Sequence, residues 1–275
     1  MIYLRLAGGL GNQLYQIAAA ILLANKHGVS VGVLVGSLGD YSVKRNPDFL
    51  NVVVPRNKII VIDQQIASMC RFALRRFRFG RWFPLIGTND SNFESRINSS
   101  YRIPFQLMDG YFQTQWSLSR FESVLENFKA TETSNMLESR ANSVVVHVRG
   151  SDYKSSPLHL VDHRYYTNAV NMARRSGLKR FVIISDDQEY SNEIFKKVLR
   201  AVPDIKYRIL GGARTTFEDF VLIRDAKLRI IGNSTFAWWA TALGTRSTPT
   251  WSPMQFLPNT ERALLLPNEI CVSNI

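Results

Sequence analysis

The sequence predicts an α/β fold in which strands and helices alternate around parallel sheet. Three observations predict it. The chain opens on a strand, a Gly-rich turn, an apolar helix and a second strand, and this β-α-β order favours a parallel pair. The second half alternates β-branched apolar runs with segments of helical periodicity, the pattern of a doubly wound sheet. Capping residues stand where those helices should begin: Ser185-Asp186-Asp187 follows one strand, and Thr215 with Glu218 spells a capping box after another.

Taken in order, residues 2–6 read as a strand and Ala7–Gly11 as a turn. Asn12 is the expected cap of a helix with Leu14, Ile17, Ile21 and Leu22 at helical spacing, stopped by Gly28 after Lys26 and His27. Val31–Val35 is the second strand. From Leu38 to Gln115 the pattern is irregular and broken by prolines 47, 55, 84 and 104, so loops and short helices are expected. Ser119–Phe128 reads as helix, and the polar stretch Thr131–Ala141 as a bridge between two domains, 1–135 and 136–275. Beyond it, strands are expected at Ser143–Val148, Phe181–Ile184, Tyr207–Leu210 and Leu228–Ile231. Helices are expected at His163–Ser176, after Ser185, from Thr215 to near Ala226, and after Ser234.

Size and composition set bounds. With 275 residues, 45% of them hydrophobic, the chain can build one large domain or two moderate ones. Two distant cysteines, Cys70 and Cys271, give no disulfide framework and suit a reducing compartment. The sequence shows no secretory signal and no run of about 20 apolar residues, so a cytosolic protein is expected. Net charge is +12, which draws anionic partners. Arg71, Arg75, Arg76, Arg78 and Arg81 interleave with Phe72, Leu74, Phe77, Phe79, Trp82 and Phe83. That segment fits a solvated helix with a buried aromatic face, an interfacial membrane contact or a nucleic-acid surface. No nucleic-acid reader motif accompanies it, so nucleic acid is the least favoured partner.

Three strand ends carry the chemistry. In a parallel sheet, ligands bind beyond the carboxyl ends of the strands. His147-Val148-Arg149-Gly150-Ser151-Asp152-Tyr153 ends one strand, Ile184-Ser185-Asp186-Asp187 another, and Ile231-Gly232-Asn233-Ser234-Thr235-Phe236 a third. Arginine presents a planar fork of donors that suits a diphosphate. A helix starting at Ser234 or Thr235 offers amides and a dipole to the same anion. Arg149 and Asp152 also fit a simple salt bridge. Asp186-Asp187 fits either a Mg²⁺ site or a helix cap, the cap being favoured. The four histidines, 27, 147, 159 and 163, show no zinc spacing. Trp238 and Trp239 read as core packing behind the turn rather than as a sugar-stacking surface. A fourth constellation, Gly8-Gly9-Leu10-Gly11-Asn12-Gln13, is a turn for phosphate or close substrate approach, and it lacks the third glycine of a dinucleotide fingerprint.

These blocks resemble the bacterial α-1,2-fucosyltransferases, glycosyltransferase family 11. Gly8–Gln16 is similar to the family's N-terminal signature, His147–Tyr153 to its H-x-R-R-x-D-Y block, Phe181–Asp187 to its F-x-I-F-S-D-D block, and Ile230–Leu243 to its I-x-A-N-S-T-F-S-W-W block. The four stand in the family's order across nearly the whole chain. The resemblance implies a GT-B-type architecture of two facing doubly wound domains. It implies inverting, metal-independent transfer of L-fucose from GDP-β-L-fucose to a galactose-type hydroxyl of a glycan or lipid-linked oligosaccharide. Arg149 and Asp152 would be catalytic. His147, Arg149, Asp186, Asn233, Ser234, Thr235 and Phe236 would bind the donor, and Gly9, Gly11, Asn12 and Gln13 would form the N-terminal loop. GDP-fucose would be a co-substrate, with no metal or other cofactor. The Arg71–Trp82 segment would then touch the inner face of the membrane, where lipid-linked acceptors reside. One departure stands out: the family's second arginine is Gly150 here, which keeps a different nucleotide sugar open and makes Lys154 a candidate substitute charge.

Overall fold

The computed structural model describes residues 1–36, 38, 46–53, 59–62, 86–101, 106–113, 116–128, 143–151, 154, 156–158, 160–212, 214–258, 262 and 264–274. The chain divides into two compact units, Met1–Thr131 and Glu132–Ile275. The expected polar bridge lies outside the described residues, as do Asp152, Tyr153, His159 and the Arg71–Trp82 segment.

In the N-terminal unit, β1 (Ile2–Arg5), β2 (Val31–Leu34), β3 (Ile59–Ile62), β4 (Ile86–Thr88) and β5 (Gln106–Met108) form a parallel sheet ordered β3-β2-β1-β5-β4. Three of these strands fall in the region expected to be irregular. They have three or four residues each, too few to show a period, and Gln-Leu-Met carries no β-branched residue. The helix α1 (Leu10–His27) is buried along most of its length, with Leu14, Ile17, Ala18 and Ile21 shielded completely. It begins earlier than expected. Gly9, in extended conformation, is the residue before the first turn, so Asn12 lies inside the helix and does not cap it. The Asn12 Oδ1 instead accepts from Gln113 Nε2 at 3.0 Å. Among the described residues the unit also holds two shorter helices, α2 (Phe93–Asn98) and α3 (Leu118–Leu125), and a 3-10 turn at Asp48–Asn51. Phe93, Phe112, Trp116 and Phe121 form its aromatic core, with Trp116 and Phe121 edge to face at 6.1 Å.

In the C-terminal unit, β6 (Ser143–Val148), β7 (Arg180–Ser185), β8 (Lys206–Ile209), β9 (Leu228–Ile231), β10 (Thr250–Pro253) and β11 (Glu269–Val272) form a parallel sheet ordered β11-β10-β9-β6-β7-β8. The helices are α4 (His163–Arg175), α5 (Gln188–Ala201), α6 (Thr216–Arg224) and α7 (Thr235–Leu243). From β6 the chain winds outward through β7 and β8, then returns to place β9 on β6's other flank. The order therefore reverses between β6 and β9. A doubly wound sheet binds its ligand at such a switch point, because the connections leaving the two strands diverge and open a crevice there. Valines 144, 146 and 148 of β6 pack with Tyr165, Tyr166 and Ala169 of α4 and with Phe195 and Val198 of α5. Trp238 and Trp239 are buried edge to face at 5.6 Å, which is the core role expected of them.

Candidate active site

The switch point gathers the sequence blocks. His147 is registered against Ile184 of β7 and Ile231 of β9, so the three strand ends stand level. Past them lie Arg149, Asp186-Asp187 and the Gly232–Thr235 turn.

Arg149 is held by a carboxylate, that of Asp186; the Asp152 considered from sequence lies outside the described residues. Its Nη1 pairs with Asp186 Oδ2, and Asp186 Oδ1 accepts from the Gly150 amide at 2.8 Å. Asp186 thus fixes both the guanidinium and the turn that carries it. Asp187 does different work. It caps α5 by accepting from the Tyr190 amide at 2.9 Å and pairs with Lys154 Nζ at 2.6 Å. The Lys154 hydrogen bond, followed by the Tyr190 amide, holds the Asp187 carboxyl below its ordinary range. The cap reading of this acidic pair is therefore the observed one for Asp187. The turn is cramped: a Cβ on Gly150 would come within 2.4 Å of Asp187 Cβ, and Ser151 has φ 35°. Glycine at 150 follows from this contact.

His147 is buried, with its ring 5.8 Å from that of Phe236. Burial, opposed by the Asp186 charge and assisted by Arg149, lowers its pKa to about 4, so the imidazole is neutral near pH 7. Its Nδ1 is buried and finds no hydrogen-bond partner among the described residues. Asn233 matches it. The Asn233 Nδ2 donates to Leu158 O at 2.6 Å, while its buried Oδ1 also finds no partner among the described residues. Ser234 is the N-cap of α7, its side chain makes no capping bond, and the first turn carries no acidic residue. Thr235 and Phe236 form that first turn, and Phe236 packs edge to face on Phe220 at 5.5 Å.

Sequence reasoning passed over several residues. Arg214, just before α6, pairs with Asp219 at 2.6 Å and donates to Gly211 O at 2.8 Å, beyond the end of β8. Desolvation raises the Asp219 carboxyl. The only signal was an arginine beside the capping box. Tyr165 and Tyr166, which fall within the expected helix His163–Ser176, place their hydroxyls on strand-end backbone.

The Gly8–Gln13 turn belongs to the N-terminal unit. Gly9 and Gly11 flank the first residue of α1. Gln13 is buried and spends its side chain on backbone, donating to Gly8 O and Asn46 O at 3.0 and 2.8 Å and accepting from the Phe49 amide at 3.2 Å. Gln16, which sequence reasoning left unassigned, accepts from the Ala7 amide at 2.9 Å. Both glutamines shape the turn from inside.

The sequence model of glycosyl transferase family 11 matches residues 101–266, more than half of the chain and all of the C-terminal strand-end blocks. The chain belongs to glycosyl transferase family 11. It is 28% identical over 267 residues to an alpha-1,2-colitosyltransferase of Escherichia coli, covering 88% of this chain and 87% of that one. It is 23% identical over 284 residues to the O-antigen biosynthesis glycosyltransferase WbnK of Escherichia coli, covering 89% and 90%. Its fold is similar to that of NodZ alpha-1,6-fucosyltransferase soaked with GDP-fucose, with a TM-score of 0.51 at 14% identity over 88% of this chain and 92% of that one. The fold is thus GT-B, two α/β units each with a parallel sheet, and the chain is a glycosyltransferase of family 11.

Proposed function

We propose that the protein is an inverting, metal-independent α-1,2-fucosyltransferase that moves L-fucose from GDP-β-L-fucose to a galactose-type hydroxyl of a glycan or lipid-linked oligosaccharide. One observation carries this reading. At the β6–β9 switch point, a guanidinium, an uncapped helix start and two buried polar atoms without described partners converge. Buried polar atoms are normally satisfied, so such a pair fits groups that a ligand completes. The names of the two relatives and the donor in the NodZ structure support a nucleotide sugar and a glycan acceptor.

In the proposed reaction the acceptor oxygen attacks the anomeric carbon, the bond from that carbon to the diphosphate oxygen breaks, and GDP leaves with the bonding pair. The acceptor proton passes to a base. Arg149 and the amides at the start of α7 meet the charge that develops on the leaving diphosphate. His147 and Asn233 offer hydrogen bonds to the nucleotide, and Asp186 keeps Arg149 in place. Asp152 is either the base or a second orienting partner of Arg149. In this reading Gly9, Gly11, Asn12 and Gln13 form a substrate-contacting turn, with Gln13 holding its shape. Transfer from labelled GDP-fucose to a galactoside panel, with and without EDTA, is the direct test. Folded protein that is inactive across the panel refutes the reading, and activity lost to EDTA and restored by Mg²⁺ refutes its metal-free part. Near-normal turnover in Asp152→Asn removes the base role.

A second reading, a different donor sugar, is favoured by the colitosyltransferase relative and by Gly150 in place of an arginine. Thermal shifts with GDP-fucose, GDP-mannose, a colitose nucleotide and UDP-sugars separate the two. We further propose peripheral contact of the Arg71–Trp82 segment with an anionic membrane bearing the acceptor.

A further inference from the structure

Two consecutive tyrosines near the start of α4, Tyr165 and Tyr166, are among the largest fully buried side chains of the protein. Their rings meet edge to face at 5.0 Å. A buried phenol must place its hydroxyl on a polar partner, and both hydroxyls go to strand ends. Tyr165 donates to Ile231 O, the last residue of β9, and lies 3.4 Å from Trp251 O in β10. Tyr166 donates to His147 O at 3.2 Å and accepts from the Arg149 amide. One hydroxyl therefore bridges the backbone on either side of Val148, where β6 gives way to the Arg149 turn.

The same hydroxyl also faces the neighbouring strand end. A Cβ on Gly232, the first residue after β9, would lie 2.8 Å from the Tyr166 oxygen and 3.7 Å from His147 O. Glycine at 232 lets the β9–α7 turn close onto the phenol. The Tyr166 oxygen is thus wedged between the two turns that flank the switch point.

We infer that Tyr166 is a positioning residue whose hydroxyl sets the Arg149 turn against the Gly232–Thr235 turn and so fixes the spacing of the anion-binding groups. The inference rests on the donor reading given above. Tyr166 touches no substrate in this scheme. It acts through the Arg149 backbone and through contact with Gly232, and this distinguishes it from simple core packing, which the phenyl ring alone supplies.

The test is a cycle of Tyr166→Phe, Gly232→Ala and the double variant, read by calorimetric titration with GDP well below each melting temperature. Tyr166→Phe is expected to weaken GDP binding at least five-fold. Gly232→Ala is expected to do the same, because its methyl displaces the hydroxyl. The double variant is expected to be no weaker than the weaker single variant, since removing the hydroxyl makes room for the methyl. Independent core packing predicts additive losses of stability and little change in affinity. Tyr166→Phe within two-fold of wild type overturns the inference. If that variant does not fold, unchanged affinity in Gly232→Ala overturns it instead. Amide exchange at Arg149 needs no ligand and separates the two readings: exchange should accelerate in unliganded Tyr166→Phe, and unchanged protection overturns the brace. Wild-type protein that binds no GDP while Arg149 exchange responds as expected overturns the donor reading, leaving the brace in place.

Discussion

Arg149 carries the anion-binding reading at the level of single residues. Its side chain is 25% exposed, so truncation removes charge without opening the core. Arg149→Ala is expected to reduce transfer by two orders of magnitude or more while leaving the melting temperature nearly unchanged. Activity measured alongside thermal unfolding checks both halves. Gly150 makes the opposite kind of prediction. Gly150→Ala sets a methyl against Asp187 Cβ at 2.4 Å, and relieving that overlap should cost about 1–3 kcal/mol, visible as a lower urea midpoint. An arginine there meets the same obstacle, so restoring the family pattern at this position alone should not strengthen donor binding. His147 gives a pH signature. Its folded pKa, lowered to about 4 from 6.5, means that the unfolded chain binds the proton more readily. The associated stability is complete above about pH 6.5 and is lost as pH falls toward 4. A shift of this size corresponds to roughly 3 kcal/mol. Urea unfolding at pH 8 and pH 5 should show the difference, and His147→Gln should flatten it.

Among the elements, apolar strands that alternate with helical patterns were legible, and strands inside the proline-broken stretch were not. Ser143–Val148 and Leu228–Ile231 stand where the β-branched pattern places them, and Thr215 and Glu218 close both hydrogen bonds of their capping box. The strand-end blocks of the C-terminal unit were legible for the same reason: each follows directly from an apolar strand in that alternation. Strands β3, β4 and β5 were missed because three or four residues inside a proline-broken stretch leave nothing to count. Asn12 was misplaced because a capping residue type was given more weight than Gly9, whose extended backbone begins the helix. Contacts between elements were the least legible. Arg229, in the middle of β9's apolar run, shows this. It is fully buried, and its guanidinium donates to Ile223 O at 2.8 Å, Arg224 O at 2.6 Å and Thr245 O at 3.0 Å. Desolvation lowers its pKa to about 10, which leaves it charged at neutral pH. These carbonyls lie at the end of α6 and just past the end of α7, where a cation complements the helix dipole. Arg229→Ala should therefore strand several carbonyls and leave a cavity, at a cost of about 3–5 kcal/mol, measured by denaturant unfolding. Arg229→Lys should recover only part of that cost, because one ammonium cannot reproduce the fork.

For the molecule as a whole, net charge is the property that no single strand end explains. In the proposed donor site, Arg149 and Lys154, each paired with a carboxylate, account for little of the +12. Five arginines are concentrated between residues 71 and 81, with Phe72, Leu74, Phe77 and Phe79 interleaved and Trp82 and Phe83 following. Among the described residues no helix is long and apolar enough to cross a membrane; the contact proposed for this segment is a peripheral one. An arginine held near an anionic bilayer contributes about 1 kcal/mol, and the attraction decays over a Debye length of about 8–10 Å. Aromatic side chains at the headgroup level would add a component that salt does not screen. Two dependences follow. Binding to vesicles containing phosphatidylglycerol should exceed binding to neutral vesicles at low salt and fall, but not vanish, as salt rises. Replacing Arg71, Arg75, Arg76, Arg78 and Arg81 with glutamine should weaken it at least ten-fold and leave transfer to a soluble galactoside intact. Co-sedimentation that ignores anionic lipid content removes the membrane proposal. Binding that survives the five replacements assigns the excess charge to a different surface.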